Sequence, residues 1–229
     1  MSKLPKTYQF LDLSDYGRPI ARVIANALKS TSVTPVDVTI SFVFSGLIGV
    51  FCMLNGYYFT AAFFFILKSI LDAADGELAR LKNTPSYTGR FLDSVSDIIL
   101  NFIIFTTLSY LTNTSFLLAF LAFFGIQLQG TLYNYYYVIL RNRFEGDTTS
   151  RIFENTTPKA LPGENQKIVN SLFFLYQLLY GVFDKIIYAL DKEAPKAKRF
   201  PKWFMKLIST FGLGFQLLII SLLLVLRLK

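Results

Sequence analysis

Six apolar runs divide this chain, and their lengths constrain its fold more than any other feature. They are Val38 to Leu54, Tyr57 to Leu71, Phe91 to Leu111, Ser115 to Leu140, Val169 to Leu190 and Trp203 to Leu228. A membrane-spanning helix needs about 17 to 25 residues. Every run reaches that length once the helical pattern of the second is carried on to about Arg80. Composition agrees: 17% of residues are charged and 53% hydrophobic, where a soluble domain carries about 25% charged residues. The chain is read as an all-α integral membrane protein with six transmembrane helices.

Residues 1–35 form a more polar amino-terminal segment, with no compact apolar stretch of the kind that marks a signal peptide. Within it, Asp15 to Lys29 reads as an amphipathic helix. Pro19 suits its first turn. Ile20, Val23, Ile24, Ala27 and Leu28 fall on one face, while Arg18, Arg22 and Lys29 lie off it. That pattern suits an interfacial helix against membrane lipids. Residues 36–229 contain no internal repeat and are read as one membrane domain.

Charge sets the expected orientation. Lys and Arg number 23 against 15 Asp and Glu, a net charge of +8. The basic residues are scattered between apolar runs, which argues for a membrane surface and against nucleic acid. The hairpins around Asn55-Gly56 and Thr112-Asn113-Thr114 carry no Lys or Arg. The amino-terminal segment, the Arg80 to Arg90 loop and the Arg141 to Lys167 loop are basic. The positive-inside rule places these basic segments in the cytoplasm. One stretch resists this layout: with six spans, the link holding Lys192, Lys196, Lys198, Arg199 and Lys202 falls outside. Asp184 and Lys185 also interrupt the fifth run, so that run is either a span or a bent or interfacial element.

The chemistry is bounded by what is missing. There is no His, and Cys52 is the single cysteine, so imidazole catalysis, an intrachain disulfide and thiolate metal sites are excluded. What remains is a group of carboxylates. Asp72, Asp75 and Ala79 share a helical face at i, i+3 and i+7. Gly89, Asp93, Asp97 and Asn101 share another at steps of four. The residues between, Leu81 to Thr88, contain Pro85 and can turn the chain back, so the two faces can meet at the cytoplasmic end of the second and third helices. Intramembrane acids are costly, and an all-oxygen site favours hard divalent ions, Mg²⁺ or Mn²⁺, or Ca²⁺. Four carboxylates are enough for a two-metal site, which suits phosphoryl chemistry. Gly76 and Gly89 leave room for a ligand near the backbone, and Arg80 offers a fork for phosphate. The alternative is structural pairing, Lys68 with Asp72 and Glu77 with Arg80.

The spacing D-x2-D-G-x2-A-R-x8-G-x3-D-x3-D, here Asp72, Asp75, Gly76, Ala79, Arg80, Gly89, Asp93 and Asp97, resembles the signature of the CDP-alcohol phosphotransferase family. The resemblance implies transfer of a phosphoalcohol from a CDP-alcohol, such as CDP-diacylglycerol, to an alcohol acceptor with release of CMP, in phospholipid biosynthesis. It implies that Asp72, Asp75, Asp93 and Asp97 ligate two divalent metals and that Asp97 is also the general base. It assigns Gly76, Ala79, Arg80 and Gly89 to the CDP moiety and suggests a homodimer, while the positive-inside rule puts the active site at the cytoplasmic face. Members commonly carry Pro-Asn-x-x-Thr at the start of the first helix. Here Val36 replaces the Asn between Pro35 and Thr39, and Asp37 reads either as a helix-capping acid or as a nucleotide contact.

A different class, an ion or proton transporter with an acidic relay, would distribute its acids through the membrane depth; these are bunched at one end. Gln127, Thr131 and Asn134 form a polar stripe on the fourth helix that runs on to Arg141. It serves either interhelical hydrogen bonding or an acceptor site. Arg141, Arg143 and Arg151 form a basic loop, one of them a candidate phosphate contact. Tyr133, Tyr135, Tyr136 and Tyr137 read as an interfacial aromatic belt.

Overall fold

The computed structural model describes residues 4–144, 149–152, 154–197 and 199–227. Lys198 of the basic link and Leu228 of the sixth run lie outside the described residues. Among the described residues the chain is all helix: α1 (Arg18–Leu28), α2 (Pro35–Leu54), α3 (Tyr58–Lys82), α4 (Tyr87–Thr112), α5 (Phe116–Arg143), α6 (Gln166–Leu190), α7 (Lys202–Ile208) and α8 (Leu213–Val225), with short 3₁₀ turns at Lys6–Tyr8, Leu13–Asp15, Ala194–Lys196 and Ser209–Phe211.

Local chemistry sets the helix ends. Thr34 and Asp37 form a reciprocal capping box at the start of α2, which satisfies two of the orphan backbone donors there. Ser86 caps α4 by accepting from Gly89 N at 2.8 Å. Asn83 and Asn113 close α3 and α4 in the left-handed region, at φ 54° and 52°, which asparagine tolerates better than most residues.

α2, α4, α5 and α6 are long and apolar enough to cross a membrane. α7 and α8, bent by 52° where they meet, make a fifth such unit if they count as one span. The protein is a multi-pass membrane protein on this basis. α3 has the length, 25 residues, but Lys68, Asp72 and Asp75 in its interior keep it from meeting the same apolarity. It is nevertheless central to the bundle. Val50 and Met53 of α2, Ala61 and Phe65 of α3, Ile104 of α4, and Leu217 and Leu224 of α8 form one core cluster. A Cβ on Gly49 would stand 2.7 Å from the Phe65 ring, so the close approach of α2 to α3 requires glycine. Ser45 Oγ donates to Phe64 O at 2.8 Å across the same contact.

In α1, Ala21 and Ala25 are fully buried in the cluster formed with α3, and Ile20 and Val23 face outward. The small face is the one that packs, which leaves large apolar side chains on the outside. Arg18 is drawn inward, 2.7 Å from Asp15 and 3.2 Å from Glu77.

Three elements differ from the sequence expectation. The bend falls in the sixth run, because residues 13–15 wedge against it: Ser14 Oγ accepts from Gly214 N at 3.0 Å, and Leu13 N donates to Ser209 Oγ at 3.0 Å. The tyrosines of α5 turn inward. Tyr135, Tyr136 and Tyr137 are buried; Tyr133 OH donates to Asp12 Oδ2 at 2.5 Å, and Tyr136 OH to Asp191 Oδ2 at 2.7 Å. A lipid-facing belt would leave these rings exposed, so the belt reading does not hold. Finally, α6 is one continuous helix through Asp184 and Lys185, and both its flanks are tied to the end of the bundle that carries the basic loops. Glu164 accepts from Ser86 Oγ and Thr88 N. Beyond α6, Asp191 O accepts from Tyr135 OH, and Pro195 O accepts from Arg143 at 2.8 Å. The basic link after α6 therefore sits beside the end of α5, with the other basic segments, and the exception to the charge rule disappears.

Candidate active site

All eight residues of the acidic signature line one cavity of about 980 Å³. Its walls come from α3 and α4, from the inward face of α5, from Tyr176, Tyr180 and Asp184 of α6, and from Asp12, Ser14 and Arg18 of the amino-terminal segment. The 81–88 loop closes the α3–α4 hairpin so that the two acidic faces oppose each other.

Carboxylate oxygens of Asp72, Asp75 and Asp93 lie within 4.8 Å of one another. Asp75 is 8% exposed, and its Oδ2 accepts from Thr39 Oγ1 at 2.7 Å. Thr39 thus orients a site carboxylate from the neighbouring helix. Asp93 Oδ1 is buried without a hydrogen-bond partner. A buried orphan oxygen is costly, and beside two further carboxylates it fits a hard divalent cation.

Asp97 stands apart from this trio. Lys68, 1% exposed, hydrogen-bonds Asp97 Oδ1 and stands 3.6 Å from Asp72. Its ammonium also lies 4.8 Å from the centre of the Phe42 ring. The expected Lys68–Asp72 pair is present, but its long-range partner, Asp97, makes the closer contact. The second expected pair is present too: Arg80 donates to Glu77 at 2.8 Å, and Glu77 is shared with Arg18.

The remaining signature positions form an open floor. A Cβ added at Gly76 would meet only the Arg80 guanidinium, at 3.6 Å. Gly89 presents its backbone at the capped start of α4. Asp37, by contrast, is spent on the Thr34 cap, accepting from its N–H and hydroxyl at 2.8 Å each. The capping reading of Asp37 accounts for it fully. Arg141 and Arg151 line the cavity, whereas Arg143 is turned to Pro195. Arg90, not singled out by the sequence, crosses from α4 to the following loop, bonding Thr149 O at 2.7 Å and Glu154 at 2.5 Å.

Residues 24–186 match the CDP-alcohol phosphatidyltransferase family. The chain belongs to that family. No curated protein matches the chain at a significant level. As a CDP-alcohol phosphatidyltransferase family member it is a transferase of phosphate-containing groups, with a CDP-alcohol as donor and an alcohol as acceptor. Members of the family are generally divalent-metal dependent, and the aspartate trio supplies the matching donor set.

Proposed function

We propose that this protein transfers a phosphatidyl group from a CDP-alcohol to an acceptor hydroxyl, releasing CMP, in phospholipid biosynthesis. The observation that carries the reading is the convergence of the whole acidic signature on one cavity, with three carboxylates in mutual reach of a cation. A transporter relay would instead need acids strung through the membrane depth.

Asp72, Asp75 and Asp93, with Asp97, would hold two divalent cations, Mg²⁺ or Mn²⁺. Such ions would supply positive charge to offset the diphosphate and the departing CMP phosphate. Gly76, Ala79 and Gly89 give the cytidine side a flat floor, and Arg80 faces the phosphates. Thr39 holds Asp75 in place. Lys68 engages Asp97 Oδ1, which leaves Oδ2 to accept the proton of the acceptor hydroxyl. The acceptor oxygen forms a bond to the phosphorus of the alcohol-bearing phosphate, the bond from that phosphorus to the CMP oxygen breaks, and its electron pair leaves with CMP.

A further span at α3 and an interfacial α1 complete this reading. Its outward Ile20 and Val23 suit the headgroup boundary. The basic loops put the site at the cytoplasmic face, and the family resemblance adds a homodimer. The test is CMP release from CDP-diacylglycerol in detergent with an alcohol acceptor present, with Mn²⁺ or Mg²⁺ against excess chelator, for the wild type, Asp75→Asn and Asp97→Asn. Asp75→Asn should be partly rescued by added metal. Asp97→Asn should lose about 10²-fold or more, keep donor binding and resist rescue. Full activity in chelator would refute the metal role; metal rescue of Asp97→Asn would refute the base.

A further inference from the structure

The cavity continues beyond the carboxylates into the bundle, and its far wall is the polar stripe of α5. Asp97 precedes Thr114, in the α4–α5 turn, by as many residues as Thr131 follows it. Antiparallel helices of equal rise therefore bring Asp97 and Thr131 to the same depth. Ile98 and Phe123 belong to one core cluster between the two helices. Gln127 and Thr131 are 4% and 6% exposed, and both line the cavity with Asn134. Gln127 Nε2 and Thr131 Oγ1 have no hydrogen-bond partner. The adjacent Gln216 of α8, by contrast, has its Nε2 bonded to Phe211 O, Gln129 Oε1 and Ile126 O. The stripe is thus not the interhelical glue its composition suggests; two of its polar groups are buried, unspent and on the cavity wall.

A buried amide donor and a hydroxyl without partners cost free energy in the empty protein, and a ligand bearing hydroxyls repays it. The cavity, about 980 Å³, lies at the upper end of the range for small-molecule sites and has room for two substrates. With the nucleotide on the Gly76–Gly89 side, the space past Asp97 falls to the acceptor. We propose that Gln127 and Thr131 form the acceptor site, and that the acceptor is a small polyol whose second hydroxyl bonds these two side chains while its reacting hydroxyl gives its proton to Asp97. This rests on the transferase reading above. It assigns the lipid to the donor and excludes diacylglycerol as acceptor.

The experiment uses the full chain in detergent with Mn²⁺. CDP-diacylglycerol is paired with glycerol or myo-inositol, each free and as its phosphate monoester, and CDP-choline is paired with diacylglycerol. With the best polyol, acceptor KM, donor Kd and Tm are measured for Thr131→Val, Thr131→Ser and Gln127→Met. Thr131→Val and Gln127→Met should each raise acceptor KM about 10-fold, as expected for an unpaired buried hydrogen-bond partner. Thr131→Ser, which keeps the hydroxyl, should stay within about 3-fold of wild type. Donor Kd should not change, and Tm should hold or rise, because no bond in the unliganded protein is lost. Turnover with diacylglycerol alone, unchanged polyol KM in both variants, or a joint fall of Tm and donor affinity would overturn the assignment. Absence of metal-dependent CMP release from every pair would overturn the transferase reading and the acceptor site with it. Intact release insensitive to the substitutions would overturn the acceptor site only.

Discussion

Replacing Lys68 by Met keeps the length of the side chain and deletes the ammonium set among the carboxylates. Lys68 is 1% exposed and touches Asp97 at 14% and Asp72 at 31% side-chain exposure. Breaking a buried ion pair by removing one partner costs about 3–5 kcal/mol, mostly because the other charge is stranded. Asp72 is the more solvated partner and the more distant, at 3.6 Å, so the loss is dominated by Asp97 and the lower end, about 3 kcal/mol, applies. For a chain of this size each kcal/mol moves Tm by about 2–4 °C. Lys68→Met in chelator should therefore melt about 6–12 °C below wild type in the same detergent. Adding Mn²⁺ should narrow the gap, because a divalent ion on Asp72, Asp75 and Asp93 takes over part of the charge compensation. Lys68→Met with Asp97→Asn should recover at least half of the loss, since neither charge is then stranded. A Lys68→Met protein within about 2 °C of wild type in chelator, or a double variant whose losses simply add, would refute the ion pair as the neutralising element.

Further outcomes test the surrounding structure. With Cys52 replaced by Ser, single cysteines at Pro85, Gly163 and Lys196 should all be labelled from the cytoplasmic side; labelling of Lys196→Cys from the opposite side would separate the post-α6 link from the basic loops. Gly214→Ala should lower Tm by several degrees, because its Cβ would stand 2.0 Å from Ser14 O and relieving such overpacking costs about 1–3 kcal/mol. Gly125→Ala, with nothing within 4 Å, is the control and should be neutral or stabilising. Burial works against ionisation of Glu164, but hydrogen bonds from the Thr88 and Leu161 N–H groups and the Ser86 hydroxyl outweigh it and hold its carboxyl below the usual range. Its stabilisation is therefore present above the ordinary pKa of about 4.3 and is lost as pH falls through the lower folded value. Glu164→Gln should lower stability by about 1 kcal/mol at pH 7 and converge on wild type as the pH falls through that lower folded value, read from Tm across pH.

Much of the helix pattern is local, and it was legible in the sequence. Apolar run lengths marked α2, α4 and α5 to within a few residues. Asn83 and Asn113 end helices through their own backbone tolerance, and the Thr34–Asp37 box needs only three residues of spacing. The acidic signature is likewise two helical faces and a turn, and so could be read before any tertiary contact was known. What only the tertiary structure decided is which distant groups meet. The i+4 rule pairs Lys68 with Asp72, but the fold gives its closest contact to Asp97 on the next helix. Tyr133 and Tyr136 carry no local sign that Asp12 and Asp191 will bind them inside the bundle. The bend between α7 and α8 comes from Ser14, some 200 residues earlier in the chain. Likewise, the basic link after α6 rests beside α5 because Arg143 and two tyrosines hold it there. Side-chain periodicity encodes which face of a helix is apolar. Partner choice across the bundle depends on packing, on close approach at residues such as Gly49, and on burial that makes an unpaired charge too costly to leave alone.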